Sequence, residues 1–341
     1  MVGNGTLITE AIQRILNQML SRLAEKVGIP TKAIDGAVIT GNTVMLHLLT
    51  GSDVKPLTHA PFRAERLFGE SVPAKALHLN VLDPETSIYL PPCAAAFVGA
   101  DVMTAYIAAG LHGCPDTSLL IDIGTNGEML LSHHGQLYAC STAAGPAFEG
   151  AGISMGMGGF PGAIDRVWLT DGKIDGHVIG DRPPAGLCGS GLLDAVSCLL
   201  ETGVLDETGY LDEDPAEILP PVTLSGQDIR AVQLAKSAIH AGLRTLLYTA
   251  GVSCKDMAAL FIAGGFGSYL SPRSAGRVGL LPEELIPQVR VIGNAALSGA
   301  SMLLLSHALR STCESAARNT QIVELSSNPV FTAEYMERML F

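Results

Sequence analysis

The sequence predicts an α/β fold, because short apolar runs that end in glycine alternate along the chain with segments of helical periodicity. Residues 118–123 run into Gly124, and residues 259–263 run into Gly264. A length of 341 residues suggests two domains, each large enough to enclose its own apolar core. The expected protein therefore has two domains built from strands that end in glycine turns.

The composition is acidic and apolar. The chain has 21 Lys and Arg residues against 33 Asp and Glu residues, a formal net charge of −12. This balance argues against a nucleic-acid or anionic-membrane partner, since both would require a basic face. Hydrophobic residues make up 48% of the chain and charged residues 16%, which excludes a disordered protein.

The seven cysteines favour a reducing compartment. They are odd in number, widely spaced and without a C-x-x-C pattern, so neither a disulfide framework nor a local iron–sulfur motif is expected. The longest apolar segment, Ala94–Leu111, contains Asp101 and many small residues, which favours a buried helix over a membrane span. The first residues lack the basic start and apolar core of a signal peptide. A cytoplasmic location is expected.

The first part of the chain is predicted to hold three helices and two strands. Apolar residues from Ile8 to Leu23 recur at helical spacing and predict a helix over 7–27, which Gly28 and Pro30 end. After it come a strand over 36–40, a helix over 44–49, a loop-rich stretch, a strand over 87–90 and a small-residue helix from about 94 to 111.

A composition break near residues 113–116 predicts a boundary between two lobes, 1–113 and 114–341. The second lobe is predicted to begin with consecutive hairpins. Its predicted strands cover 118–123, 128–132, 136–140, 259–263 and 289–292, and its predicted helices cover 190–201, 227–250 and 295–307.

The strongest local signal is Asp122, which ends an apolar strand just before the small-residue turn Gly124–Gly127. Backbone N–H groups of such a turn can face a phosphate, because glycine lets a ligand approach closely. Asp122 can hold a hydrated Mg²⁺, and the Thr125 hydroxyl can donate to a phosphate oxygen. The alternative is a hairpin in which Asn126 and Gly127 simply form a type I′ turn. The turn alone supports both interpretations.

A second signal lies at the end of the strand over 259–263, where Gly264, Gly265 and Gly267 permit a ligand to approach closely. By itself it is weak, because an ordinary strand-to-helix turn has the same glycines. The G-x-G-x-x-G and Walker patterns are not matched.

Two predicted helices, Ala94–Gly110 and Ala295–Ala300, are rich in small residues. Small residues allow two helices to cross closely, which a hinge between two lobes requires. Ordinary tight packing explains each of them taken singly.

The order of these features resembles the superfamily of acetate and sugar kinases, heat-shock chaperones and actin (ASKHA). There, a first connecting helix, a second phosphate loop, an adenosine loop and a second connecting helix follow one another in this order. The resemblance covers nearly the whole chain and implies a two-lobed α/β fold.

Longer stretches are similar to the C-terminal nucleotide-binding part of the reductive activators of corrinoid enzymes. These stretches are residues 41–49, 92–93 with 97–101, 121–128, 140–150, 188–195 and 293–300. Members of that family use ATP to help drive an electron onto an inactive Co(II) corrinoid and restore Co(I). The resemblance implies the same function for this chain.

The resemblance also implies cofactors, partners and site residues. ATP and Mg²⁺ would be the cofactors, and a corrinoid protein or methyltransferase would be the partner, with a separate ferredoxin-like electron donor. The residues implied at the phosphates are Asp122, Gly124, Thr125, Asn126 and Gly127, with Asp122 also at the metal, and those bordering the adenosine are Gly264, Gly265 and Gly267.

Two departures from the family pattern stand out. The family carries an iron–sulfur domain, but the cysteines here form no such cluster, so no iron–sulfur cluster is expected within this chain. The first phosphate loop is also missing, so the first lobe is expected to be truncated. The chain is then a fragment, or a separate subunit completes it, or ATP hydrolysis has been lost. Truncation would expose a sheet edge, which a partner or a homodimer contact would cover.

Two functions therefore stay open. The first is an ATP-linked reductive activator, which the intact second phosphate loop favours. The second is a non-catalytic ASKHA-type module that docks a corrinoid protein or a partner subunit, which the missing first loop favours. Glu149 and Asp101 are candidates to face the cleft, although capping or packing explains them equally well. Cys93 and Cys140 are expected to be buried, inert thiols.

Overall fold

The computed structural model describes residues 5–341 and divides into two compact units. Unit 1 contains the chain up to Cys114 together with Ala295–Ile322, and unit 2 contains Pro115–Asn294 and Val323–Phe341. The boundary predicted from the sequence, 113/114, lies one residue before the end of the first segment of unit 1, and residues 295–322, which the prediction placed in the second lobe, belong to unit 1. No helix in the described range is both long and apolar enough to cross a membrane.

The helices and strands are numbered separately in chain order. The helices are α1 (Gly5–Val27), α2 (Thr43–Thr50), α3 (Ala100–Ala108), α4 (Gly189–Thr202), α5 (Gly226–Ala250), α6 (Pro272–Arg277), α7 (Ala295–Leu305), α8 (His307–Asn319) and α9 (Pro329–Glu337). The strands are β1 (Gly36–Val38), β2 (Glu70–Pro73), β3 (Ser87–Leu90), β4 (Ser118–Ile123), β5 (Gly127–His133), β6 (Gln136–Thr142), β7 (Ala163–Thr170), β8 (Lys173–Val178), β9 (Gly186–Leu187), β10 (Ala216–Leu219), β11 (Val222–Leu224), β12 (Ala259–Ala263), β13 (Val289–Gly293) and β14 (Thr320–Ile322).

Two predicted helices have different bounds in the structure. The helix predicted from about residue 94 begins only at Ala100, because the N–H groups of Ala94 and Ala95 both donate to the Val98 carbonyl and close a turn instead. The helix predicted over 295–307 ends at Leu305. The Ser306 side chain then accepts from the Leu309 N–H and caps α8 as a new helix.

The sheet of unit 1 has three strands in the order β1-β3-β2, with β1 parallel and β2 antiparallel to β3. Strand β1 therefore lies at one edge of this sheet. Beside it is an apolar groove of about 780 Å³ lined by residues of α1, β1 and α7. Some apolar side chains that line this groove, such as Met19 and Leu297, are more than half exposed.

Helices α3 and α7 pack directly against each other inside unit 1. Gly299 makes this possible, because a methyl group built on it would lie 1.8 Å from the Thr104 carbonyl oxygen. The backbones of the two helices thus touch where this glycine has no side chain. The small residues of these helices serve close packing, as their composition predicts.

The main sheet of unit 2 places the ends of two parallel strands side by side. Five of its strands follow the order β13-β12-β4-β5-β6, in which β4 is parallel to β12 and antiparallel to β5. Helices α4 and α5 contribute many of the buried side chains of this unit's apolar core. The shared strand direction brings Asp122 on β4 next to Ala263 on β12, so the two glycine turns that follow meet at one edge.

A buried histidine of unit 2 predicts acid sensitivity. His240 on α5 is 3% exposed; its Nδ1–H donates to the Gly279 carbonyl, and its Nε2 accepts from Arg244. Burial lowers the pKa of His240 to about 3, with the nearby Arg338, Arg244 and Lys236 charges acting in the same direction. The ring is therefore neutral in the folded chain.

We expect the free energy of unfolding to fall as the pH drops below 6.5, the ordinary pKa of histidine. Below that value the unfolded chain binds a proton that folded His240 excludes until the pH approaches 3. Urea unfolding of the wild type and of His240→Gln between pH about 7 and about 5 measures this slope. The dependence of the unfolding free energy on pH should become weaker in His240→Gln and should stay unchanged in the control His134→Gln, which lies in an exposed hairpin turn. The reverse pattern would contradict the assignment to His240.

Candidate functional site

Unit 2 contains a cavity of about 400 Å³ at the edge where β4 and β12 end. Its lining comes from the two glycine turns, the segment after β6 and the start of α4. The lining residues are Asp122, Ile123, Gly124, Phe148, Glu149, Met157, Gly158, Gly159, Cys188, Gly189, Ser190, Gly265, Phe266 and Tyr269. Such a volume lies within the range of small-molecule sites.

The β4–β5 hairpin is closed by a three-residue loop, Gly124–Asn126. Ile123 pairs with Gly127, so Gly127 already belongs to a strand, and the proposed type I′ turn at Asn126 and Gly127 is wrong. The Gly124 N–H donates to the Asn126 carbonyl at 2.9 Å, and the Thr125 carbonyl accepts from the Gly145 N–H at 2.9 Å. These bonds hold the loop in one conformation at the cavity.

Asp122 lies opposite a second carboxylate that sequence reasoning missed. Asp122 on β4 pairs with Glu128 on β5 across the ladder, so both side chains project from the same face of the sheet. Two like charges in directly opposite positions destabilise a sheet, and a divalent cation would offset that cost. The sequence carried one signal for this pair: with a three-residue turn over 124–126, residue 123 pairs with 127 and residue 122 pairs with 128.

Thr125 and Glu149 form a hydrogen bond at the rim of the cavity. The Thr125 hydroxyl donates to Glu149 Oε2 at 2.6 Å, and a methyl group built on Gly124 would lie 3.8 Å from Glu149 Oε1. Glu149 thus faces the cavity, one of the two interpretations that its sequence position allows. The Thr125 hydroxyl therefore donates to the Glu149 carboxylate. The sequence pattern had predicted a phosphate oxygen as its acceptor.

Two of the five predicted glycines, Gly124 and Gly265, line the cavity, and the other three pack against protein atoms. A methyl group on Gly265 would meet no atom within 4 Å, so this residue leaves space for a ligand. A methyl group on Gly264 would lie 2.5 Å from Asp122 Oδ1, and one on Gly267 would lie 2.7 Å from Ile262. One on Gly127 would lie 3.0 Å from Thr142. Gly264 therefore leaves the space that the Asp122 carboxylate occupies, while Gly127 and Gly267 serve packing.

Helix α4 directs its N-terminus to the cavity, where Cys188, Gly189 and Ser190 form part of the wall. A methyl group on Gly189 would lie 2.0 Å from the Phe148 carbonyl oxygen, so only glycine fits there. The Ser190 hydroxyl donates to the Asp165 carbonyl at 2.9 Å. The helix dipole and the first backbone N–H groups of a 14-residue helix favour an anion at this wall.

The charged side chains of the cavity are acidic. Asp122 and Glu149 line it, and Lys, Arg and His are absent from the lining residues found in the described part of the chain. No group of three or more His, Cys, Asp or Glu side chains in residues 5–341 is arranged to hold a metal ion. Asp122 lines the cavity and pairs with Glu128 across the ladder; Mg²⁺ commonly takes one or two carboxylates and completes its shell with waters and substrate phosphates.

Of the other residues singled out from the sequence, Cys93 and Cys140 are buried and Asp101 is half-buried. Burial raises the pKa of the Cys93 thiol in unit 1 to about 12 and raises the pKa of the Cys140 thiol in unit 2 still further. Both are therefore inert thiols at neutral pH, as predicted. Burial also raises the pKa of Asp101 in unit 1, and its carboxylate accepts from the Val102 N–H.

Known proteins are similar to this chain in sequence and in architecture. The family model of the C-terminal domain of RACo, described as the ASKHA domain, matches residues 116–341, and that of the RACo middle region matches residues 3–114. The corrinoid activation enzyme RamQ of Eubacterium limosum is 35% identical over 98% of this chain and 60% of its own length. A Co(II) methylated amine-specific corrinoid protein reductase of Methanosarcina barkeri is 24% identical over 87% of this chain and 60% of its own length.

A solved structure agrees with these matches. A reductive activator for corrinoid, iron–sulfur protein superposes with a TM-score of 0.87 and 32% identity, covering 98% of this chain and 56% of that one. The chain thus spans about 60% of the length of the curated relatives it matches. The predicted α/β fold of the ASKHA type and the predicted family are both confirmed. The chain belongs to the RACo family, with matches to its middle region and to its C-terminal ASKHA domain.

Proposed function

We propose that this chain is the ATP-binding part of a reductive activator that returns an inactive Co(II) corrinoid protein to Co(I). The relatives that it matches are named for corrinoid activation and for reduction of a corrinoid protein. The partner in this proposal is a corrinoid protein or methyltransferase. The electron comes from a separate ferredoxin-like donor, and a homodimer or a partner subunit covers the edge strand β1.

The observation that carries the proposal is one cavity lined by both Asp122 of the β4–β5 hairpin and Gly265 of the turn after β12. The sequence places these two motifs about 140 residues apart, and the parallel pairing of β4 with β12 brings them together. The ends of parallel strands are where open α/β sheets bind ligands. ATP fits this arrangement, with its phosphates at Asp122, Gly124 and the start of α4.

Mg²⁺ is central to this proposal because of the charge at the cavity. A polyphosphate beside Asp122 and Glu149 meets like charge, and the lining residues include no basic side chain in return. A divalent cation between the Asp122 and Glu128 pair and the phosphates would turn that repulsion into attraction. The α4 N-terminus would add a weaker attraction for the phosphates.

We expect ATP binding to depend steeply on Mg²⁺. Calorimetric titration of the chain with ATP in excess Mg²⁺ should give measurable heat, and the same titration in EDTA should show affinity lower by at least about tenfold. Equal affinities in the two buffers would contradict the metal's role. The melting temperature without nucleotide, measured in both buffers, controls for an effect of EDTA on folding.

A second candidate function is a docking module without nucleotide chemistry. The observation that favours it is the apolar groove of unit 1, which leaves a sheet edge and several large side chains exposed. In this case the groove holds the corrinoid protein or a partner subunit. Absence of any heat at about 1 mM nucleotide, where binding is worth only about 4 kcal/mol, would favour this function over ATP binding.

A further inference from the structure

The lining of the unit 2 cavity includes two aromatic side chains, Phe148 and Phe266, to which the proposed function assigns no role. Phe266 follows Gly264 and Gly265 after β12, and Phe148 lies in the short turn before Glu149. Their rings stack with centroids 4.9 Å apart and planes inclined by only 11°. Both side chains line the cavity.

This stack rests on a rigid base. Phe148 is 3% exposed and belongs to the apolar core of unit 2. Phe266 packs against the same core while remaining partly exposed. A methyl group on Gly189 would lie 2.7 Å from Phe266 Cδ2, so the start of α4 fits closely against the ring. The orientation of Phe266 is therefore set by its neighbours before any ligand arrives.

Access to this ring is open on the side of the glycine turn. Even a methyl group added to Gly265 would meet no atom within 4 Å, and Gly158 and Gly159 line the same cavity. A flat ring can therefore approach Phe266 without displacing a side chain of the turn. The lining of the 400 Å³ cavity thus combines two aromatic rings, Phe148 and Phe266, with two carboxylates, Asp122 and Glu149.

We propose that Phe266, supported by Phe148, is the stacking platform for the base of the bound nucleotide. This inference rests on the proposed ATP binding and adds what distinguishes a nucleotide from a bare polyphosphate. A metal-bound tripolyphosphate lacks the base that would stack on this ring, whereas ATP carries one. Stacking of a base on an aromatic side chain strengthens binding by about tenfold or more.

Replacing Phe266 with leucine tests the platform, because leucine keeps apolar volume and removes the ring. We expect Phe266→Leu to bind Mg·ATP about tenfold more weakly and Mg·tripolyphosphate as well as the wild type does. Phe266→Tyr retains a ring and should restore the ATP affinity. Phe261→Leu is the matched control, since Phe261 lies on β12, partly buried beside Arg290 and outside the cavity.

The outcomes separate this inference from the proposed function. A wild type that binds Mg·tripolyphosphate as tightly as Mg·ATP would overturn the platform and leave the phosphate site intact, whether or not Phe266→Leu folds. Equal weakening of both ligands in a folded Phe266→Leu, or no weakening of either, would overturn it as well. A wild type that binds neither ligand would overturn ATP binding itself, and the platform with it.

Discussion

Replacing Asp122 with asparagine is expected to weaken Mg²⁺-dependent ATP binding by at least about tenfold without lowering the melting temperature. Asparagine keeps the shape that fits beside Gly264, where the spacing to Oδ1 is tight. It removes the charge that attracts Mg²⁺, a hard cation that prefers charged oxygen ligands. It also relieves the like-charge pairing with Glu128 across the ladder, so the ligand-free variant should be at least as stable as the wild type.

The measurement is the affinity for ATP with and without Mg²⁺, together with thermal melting of both proteins. Asp175→Asn is the matched control, because Asp175 is an exposed carboxylate of β8 that accepts from the Gly176 N–H, a bond that asparagine can also accept. A folded Asp122→Asn protein that binds Mg·ATP as tightly as the wild type would reduce the β4–β5 loop to a structural hairpin.

Replacing Gly299 with alanine is expected to destabilise unit 1 by about 3 kcal/mol or more, the upper range for overpacking. Within a helix, replacing glycine with alanine usually stabilises the protein, since alanine is favoured over glycine by about 1 kcal/mol. Here the added methyl would stand 1.8 Å from the Thr104 carbonyl oxygen and 3.0 Å from the Thr104 Cα. Both are backbone atoms, so a rotamer change cannot relieve the clash and α7 must move away from α3.

Urea unfolding of the variant and the wild type measures this effect. Gly113→Ala provides the control in the same unit, because a methyl group there meets no atom within 4 Å and the residue has no positive φ. Its stability should stay within about 0.5 kcal/mol of the wild type. A Gly299→Ala protein as stable as this control would show that the two helices separate at little cost.

Local structure in this chain could be predicted wherever apolar periodicity and glycine act over a few residues. Strands β3, β4 and β12 have the bounds that the sequence predicts. Strands β7 and β8 were missed because exposed polar side chains such as Arg166, Lys173 and Asp175 interrupt their apolar pattern. The bounds of α3 depended on a turn closed by the Val98 carbonyl, a contact that helical periodicity does not encode.

The sequence by itself determined the α/β class, the family and the motifs at Asp122 and Gly264, because these depend on residue types and spacing along short stretches. Tertiary structure alone decided which groups share the cavity. Ladder register placed Glu128 opposite Asp122, folding of the segment after β6 brought Glu149 to Thr125, and core packing stacked Phe266 on Phe148. The Asp122–Glu128 pairing depends on the length of the turn between their strands, whereas the other two contacts join residues far apart along the chain. Only the folding of the segment after β6 and the packing of the core could establish those two.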